Sequence, residues 1–105
     1  MNKKKVLSEI KKGTLFLKDA DDKLKADEEV VLESVKFNGL YLKFADEKLK
    51  ANKKIVLAAV KQNGMSIYFA SNKLKADKEI AQEAVKNNSE ALEYVDSKLK
   101  ESLKN

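Results

Sequence analysis

Hydrophobic and polar residues recur along this chain with a period of 25 residues. Leucine holds one repeat position (Leu24, Leu49, Leu74, Leu99), and small apolar residues hold another (Ala20, Ala45, Ala70, Val95). The period divides the chain into four copies, 2–26, 27–51, 52–76 and 77–101, and leaves a C-terminal tail, 102–105. Units this short cannot bury a core alone, so the pattern predicts one domain of stacked repeats.

Each copy opens with aspartate or asparagine, residues that favour a helix N-cap. In copy two, Asp27 precedes an apolar stripe from Val31 to Val35, whose helical spacing predicts a helix A. Asn-Gly follows this stripe in copies two and three. Gly39 and Gly64 are therefore predicted to take the left-handed conformation that commonly ends a helix.

A second apolar run follows in the central copies, at 40–45 and 65–70, and predicts a short helix B. Asp46 and Ser71 can then cap one final short turn. The predicted core includes Leu32, Leu42, Leu57 and Ile67. The expected fold is all-α, a small α-solenoid of four 25-residue helical repeats, each with a longer helix A, a short helix B and a short terminal turn.

The end copies carry polar residues where the central copies are apolar. Lys5, Asp19, Gln82 and Glu90 stand at the repeat positions of Val30, Phe44, Leu57 and Met65. Polar residues on an end face are typical of terminal capping repeats, so we expect copies one and four to close the array.

Copy three has the clearest family signature. Residues 55–64 read IVLAAVKQNG and are followed by Phe69-Ala70-Ser71 and Leu74-Lys75. This pattern resembles the bacterial repeat family called domain of unknown function 4116. The resemblance covers the whole chain and is strongest in copies two and three. It implies the helical-repeat fold and no activity that could be transferred to this chain.

Charge differs from copy to copy. The net charge of +5 is the sum of +4, −2, +5 and −3 for copies one to four and +1 for Lys104. One repeat position alternates in sign, with Lys4, Glu29, Lys54 and Glu79. Stacked copies would place these opposite charges side by side, which favours one stacking order.

Lysine also forms three rows through the copies, at 11/36/61/86, 23/48/73/98 and 25/50/75/100. The last two rows make Lys-Leu-Lys triplets, and Lys48, Lys50, Lys73 and Lys75 are the candidate residues for binding an anion. Solvated faces are the simpler interpretation of these rows. The absence of arginine disfavours nucleic acid, because arginine is the side chain best suited to bidentate phosphate and guanine contacts.

No catalytic or metal-binding pattern is present in the sequence. Histidine and cysteine are absent, which removes the commonest general base and the commonest transition-metal ligands. The run Asp19-Ala20-Asp21-Asp22 lacks the glycine and glutamate that a calcium loop requires, since Leu24 and Val30 stand there. We expect neither enzyme activity nor a cofactor.

Three aromatic residues, Phe37, Tyr41 and Tyr68, occupy positions where other copies carry residues such as lysine, glutamine, asparagine, serine and glutamate. The repeat does not need an aromatic ring there, so these residues are candidate anchors for a partner, with local packing as the alternative. The leading hypothesis is a non-catalytic module that binds a protein or peptide, with an acidic one favoured by the lysine rows.

Two other functions are compatible with the sequence. One is weak, non-specific binding of anions or nucleic acid through the lysine rows, with nucleic acid the less favoured ligand. The other is head-to-tail assembly between basic copy one and acidic copy four, although a monomer is favoured. Charges interrupt the apolar character of residues 1–17, and no apolar stretch approaches the roughly 20 residues of a membrane span, so we expect a cytoplasmic protein with no signal peptide.

Overall fold

A computed structural model describes residues 2–103 and contains three helices in every copy. The long α-helices are α1 (Lys3–Lys12), α3 (Glu28–Phe37), α5 (Lys53–Gln62) and α7 (Lys78–Asn87). The 3₁₀ helices are η1 (Leu17–Asp19), η2 (Gly39–Phe44), η3 (Gly64–Phe69) and η4 (Ser89–Tyr94). The short α-helices are α2 (Asp22–Lys25), α4 (Glu47–Lys50), α6 (Asn72–Lys75) and α8 (Ser97–Leu103).

The copies stack in two layers. Successive long helices pack side by side in one layer, and η2, η3 and η4 pack in the same order in the other. Each of η2 and η3 contacts the long helix of its own copy and that of the next copy. The array measures 47 × 22 × 17 Å, and the core lies between the layers. Over residues 2–103 the fold is all-α, as the sequence predicts.

The predicted N-caps begin the long helices. The side-chain oxygen of Asp27 accepts the Val30 N–H at 3.1 Å, and that of Asp77 accepts the Ile80 N–H at 3.1 Å. Asn52 caps α5 in the same way. Each bond satisfies a backbone donor that has no partner within its helix, so the local sequence alone specifies where these helices start.

The predicted helix B is a 3₁₀ helix. In copy two its buried positions are three residues apart, at Gly39, Leu42 and Ala45; copy three repeats them at Gly64, Ile67 and Ala70 and buries Ser66 as well. Side chains three apart are aligned in a 3₁₀ helix, because it has three residues per turn. The spacing of three in the buried positions of copy two thus matches a 3₁₀ helix rather than an α-helix.

The glycines after helix A have a different role from the predicted one. Gly13 is the sole residue with positive φ within 2–103, at 76°, so a left-handed helix end at Gly39 or Gly64 was a wrong prediction. Asn38 has an extended φ of −153°, and its side chain accepts the Leu40 N–H at 3.0 Å. The Asn-Gly pair therefore begins the 3₁₀ helix.

Close approach between copies explains these glycines. A Cβ atom on Gly39 would overlap the carbonyl oxygen of Ala59 in α5, and one on Gly64 would overlap that of Ala84 in α7. Side chains of the next copy also hold the glycine N–H groups. Gln62 Oε1 accepts from Gly39 at 2.5 Å, and Asn87 Oδ1 accepts from Gly64 at 2.6 Å.

Backbone hydrogen bonds join the short helices along one edge of the array. The backbone N–H of the residue that caps each short helix donates to the carbonyl oxygen of the last lysine in the preceding short helix. The pairs are Asp46 to Lys25 at 2.9 Å, Ser71 to Lys50 at 3.0 Å and Asp96 to Lys75 at 3.0 Å. These bonds set the spacing of the Lys-Leu-Lys triplets.

The predicted core needs one correction. Leu42 and Ile67 are fully buried as predicted, but Leu32 and Leu57 are only partly buried. Helix α8 extends to Leu103, so the predicted tail, 102–105, is helical at its first two residues. Residues 104 and 105 lie outside the described part of the chain.

One buried hydroxyl group leads to a stability prediction. Ser66 is fully buried, and its Oγ has no hydrogen-bond partner among the described residues. An unpaired buried hydroxyl costs about 1–3 kcal/mol. We therefore expect Ser66→Ala to raise the free energy of unfolding by about 1 kcal/mol, seen as a higher urea midpoint with an unchanged denaturant slope.

Ser34 provides the matched control for this substitution. It is also buried, but its Oγ donates to the Val30 carbonyl at 2.9 Å. Ser34→Ala removes a satisfied hydrogen bond and should leave stability unchanged or slightly lower. A lower urea midpoint for Ser66→Ala would contradict the prediction.

Candidate interaction surfaces

Aromatic side chains form two clusters on the 3₁₀ layer. The first contains Phe16, Tyr41 and Phe44, with ring centroids 5.8 Å and 6.3 Å apart in successive pairs. We call the second, made of Tyr68, Phe69 and Tyr94, the tyrosine cluster. The candidate anchors Tyr41 and Tyr68 therefore lie in different clusters.

Tyr68 is the most exposed large hydrophobic side chain among residues 2–103, at 53%. Its ring meets Tyr94 edge to face at 4.9 Å and Phe69 at 5.1 Å. The Lys75 ammonium lies 5.4 Å from the centre of the Tyr68 ring, within cation–π range. Its neighbours thus hold the ring in place while half of it faces solvent.

Tyr41 has a more structural setting. It is only partly exposed, and its ring contacts Phe16 from copy one and Phe44 from its own copy. Aromatic pairs in this geometry are worth about 0.5–1.5 kcal/mol beyond the area they bury. Tyr41 therefore connects copies one and two, which fits the local-packing alternative.

Phe37 lies at the C-terminal end of α3, apart from both clusters. Its ring covers Gly13, where an added Cβ would come within 2.8 Å of the ring. Gln62 and Asn87 hold the same repeat position and contact the preceding copy through hydrogen bonds. Phe37 makes the equivalent contact with copy one through its ring, although 48% of it is exposed.

The Lys-Leu-Lys triplets lie on the short helices. Lys48 and Lys73 are exposed, and neither ammonium has an ion-pair partner within residues 2–103. Lys50 is partly buried and pairs with Glu47 at 3.0 Å, and Lys75 contacts Tyr68. The four candidate lysines thus divide into two free cations and two engaged ones.

A groove that the sequence did not predict lies between α3 and α5. Leu32, Leu57 and Ala58 form its apolar floor, and lysines including Lys54 and Lys61 line its sides. Its volume is about 580 Å³. We call it the lysine-lined groove. The sequence contained one signal of this exposure. Leu32 and Leu57 share a repeat position with Gln82, and a repeat position that must be buried would not accept glutamine.

Ion pairs join copy one to copy two and copy three to copy four. The Lys3 ammonium lies 3.1 Å from both Asp27 and Glu29. The Lys53 ammonium lies 3.1 Å from Asp77 and 3.0 Å from Glu79. The alternation of charge predicted that Glu29 and Glu79 lie beside lysines of the neighbouring copies, Lys4 and Lys54. Both glutamates are paired across copies, but their partners are Lys3 and Lys53, one residue earlier.

These contacts shift the pKa values of the groups involved. Hydrogen bonds to Glu79 and then Asp77 raise the pKa of Lys53, and Glu29 and Asp27 raise that of Lys3 in the same way. Partial burial by itself would raise the pKa of Asp77. The Ile80 N–H and the Lys53 ammonium outweigh burial and hold that pKa below its usual value.

The surface offers no metal-binding group within residues 2–103, since no three acidic, histidine or cysteine side chains converge there. Asp19, Asp21 and Asp22, from the run considered as a calcium loop, are exposed. None of the described helices has the length and hydrophobicity that crossing a membrane requires.

Comparison with known proteins identifies the repeat. A family model described as "Domain of unknown function (DUF4116)" matches residues 4–50, 27–75 and 52–100. Each window spans most of two adjacent copies, and successive windows overlap. No curated protein and no solved structure matches the chain.

Proposed function

The chain belongs to the family described as Domain of unknown function (DUF4116), and we propose that its repeat array is a non-catalytic module that binds a protein or peptide. The observation that supports this most directly is the setting of Tyr68. An aromatic ring that is 53% exposed and held by its neighbours can bury a large area on binding. Little conformational entropy is lost in doing so, because the ring is already ordered.

The repeat itself does not need a tyrosine at this place. Copies one and two carry Lys18 and Lys43 at the same repeat position, and copy four carries Glu93. Tyrosine is enriched among the residues that dominate binding energy in protein interfaces. The proposed anchor is therefore Tyr68 with Tyr94 beside it, and Tyr41 and Phe37 act mainly between copies.

The proposed partner is acidic. Lys75 lies over the Tyr68 ring, and Lys73 is an exposed cation on the same short helix. Charges placed around an apolar anchor favour a partner of the opposite sign and speed its association. A carboxylate next to the residue that covers Tyr68 would meet the Lys75 ammonium, and Lys73 adds to the positive charge of the same short helix.

Affinity capture with matched variants tests the proposal. Tyr68→Lys substitutes the residue that copies one and two carry, so the fold should tolerate it. We expect a partner captured by the unchanged chain to bind this variant at least about tenfold more weakly in a titration, because an interface residue that dominates binding contributes about 2 kcal/mol or more. Lys18→Ala, an exposed substitution at the same repeat position in copy one, should leave the affinity unchanged.

Circular dichroism must first establish that both variants keep the helical content of the unchanged chain. Equal affinity for all three proteins would contradict the role of Tyr68. If the partner binds the Tyr68→Lys variant as tightly as the unchanged chain and is released by added salt, anion binding through Lys48 and Lys73 would be favoured instead.

A further inference from the structure

The lysine-lined groove carries positive charge that the chain does not neutralise. Among the lysines beside it, Lys53 is paired with Asp77 and Glu79, and Lys36 lies 3.7 Å from Glu33. Lys54 and Lys61 have no ion-pair partner among the described residues. Copy three has five lysines and no acidic residue, so no carboxylate of its own can balance them.

Lys54 is also poorly placed for stability. It lies in the first turn of α5, which contains no acidic residue, and the helix dipole disfavours a cation there. Copies two and four carry Glu29 and Glu79 at this position, where a carboxylate is favoured. Glu28 and Glu29 border Lys54 in an adjoining pocket, but neither forms an ion pair with it, so its ammonium remains available to an acidic ligand over the groove.

The apolar floor of the groove requires a ligand that also has apolar side chains. Leu32 and Leu57 occupy the same repeat position on adjacent long helices and remain partly exposed. Packed helices are about 8–10 Å apart, and residues seven apart on an α-helix rise by about 10 Å. Two apolar side chains seven residues apart on a helix running along the array would thus match the two leucines.

We propose that the lysine-lined groove binds an acidic amphipathic α-helix of a partner protein. Its apolar stripe covers Leu32 and Leu57, and carboxylates on both edges of that stripe meet Lys54 and Lys61, which lie on either side of Leu57 along α5. This helix-in-groove arrangement rests on the proposed function, because it assumes that the array is an interaction module. It uses the long-helix layer, whereas Tyr68 lies on the 3₁₀ layer.

A synthetic helical peptide can serve as the probe. It carries leucine at every seventh position with glutamate on both edges of the leucine stripe, and a fluorophore reports binding by anisotropy at low salt. One control peptide has the same composition in scrambled order, and another is polyglutamate of the same length. We expect the striped peptide to bind the unchanged chain at least about tenfold more tightly than either control.

Variants of the chain can be matched to its own repeats. Leu57→Gln introduces the glutamine that copy four carries at the same repeat position, Gln82. Lys54→Glu introduces the glutamate that copies two and four carry there, Glu29 and Glu79. Each should weaken binding of the striped peptide by about tenfold, since each removes one central contact. Lys48→Glu reverses an exposed charge on a short helix and should have little effect.

The outcomes separate this proposal from the previous one. No binding of the striped peptide, equal binding of the controls, or loss with Lys48→Glu but not with Lys54→Glu would overturn the groove proposal. Tyr68→Lys should leave peptide binding unchanged. If the striped peptide does not bind while binding of a captured partner still depends on Tyr68, only the groove proposal is wrong. If the peptide binds and no partner depends on Tyr68, only the proposed tyrosine anchor is wrong.

Discussion

Replacing Gly64 by alanine is expected to lower the free energy of unfolding by about 2–3 kcal/mol, because the new methyl group has no space. It would overlap the carbonyl oxygen of Ala84 and lie 3.1 Å from the carbonyl carbon. Both atoms belong to the backbone of α7, so the conflict is relieved only by separating copies three and four. For a domain of this size the loss corresponds to roughly 10–20 °C in melting temperature.

Ser89 is the control for this prediction. It holds the same repeat position in copy four and is exposed, so Ser89→Ala should change the melting temperature little. Thermal unfolding followed by circular dichroism measures both variants. A Gly64→Ala chain as stable as the unchanged one would show that the copies do not approach each other this closely in solution.

Asp77→Ala is expected to have the second largest effect on stability. Its side chain caps α7 through the Ile80 N–H and also contacts Lys53. Loss of an N-cap side chain costs about 1–2 kcal/mol, and the lost ion pair adds to this. Urea denaturation should therefore show a clearly lower midpoint with little change in slope.

Asp77→Asn separates the two contributions. Copy three has Asn52 as an N-cap, so asparagine should keep the cap and lose only the charge. Its loss of stability should be smaller than that of Asp77→Ala and should shrink as salt is added, because exposed ion pairs are screened. Equal losses for both variants would mean that the ion pair, rather than the cap, is the main contribution.

The same carboxylates predict a pH dependence. The pKa values of Asp27 and Asp77 lie below the ordinary value of 3.8, so the folded chain binds these protons less readily than the unfolded chain does. Their contribution to stability is complete above pH 3.8 and is lost as the pH falls through the lower folded values. Asp77→Asn should reduce this loss at acidic pH.

Local features of the fold were predictable because each depends on nearby residues. The N-cap at Asp27 follows from one side chain and a backbone N–H three residues on, and the stacking follows from the period of 25. The 3₁₀ form of helix B was not predictable in this way, because the spacing of Gly39, Leu42 and Ala45 is evident only in their burial. Helix B was instead predicted from the apolar run Leu40, Leu42, Phe44 and Ala45, which over two turns does not separate a period of three from one of 3.6.

The candidate surfaces were less predictable. Tyr68 was identified from its repeat position, but the same reasoning also selected Phe37, whose ring covers Gly13. Leu32 and Leu57 were assigned to the core, since an apolar residue on a helical stripe has no sequence feature that records its exposure. Their groove exists because α3 and α5 pack at a particular spacing.

By itself, the sequence determined the number of copies, their helical content, the residues that begin the long helices and most of the buried set. These properties arise from contacts between residues close in the chain or equivalent in the repeat. Tertiary structure decided that Gly64 must be glycine, that Lys53 rather than Lys54 joins two copies, and that Leu57 borders solvent. Those outcomes depend on the distance and rotation between adjacent copies, which are set by the packing of both layers together.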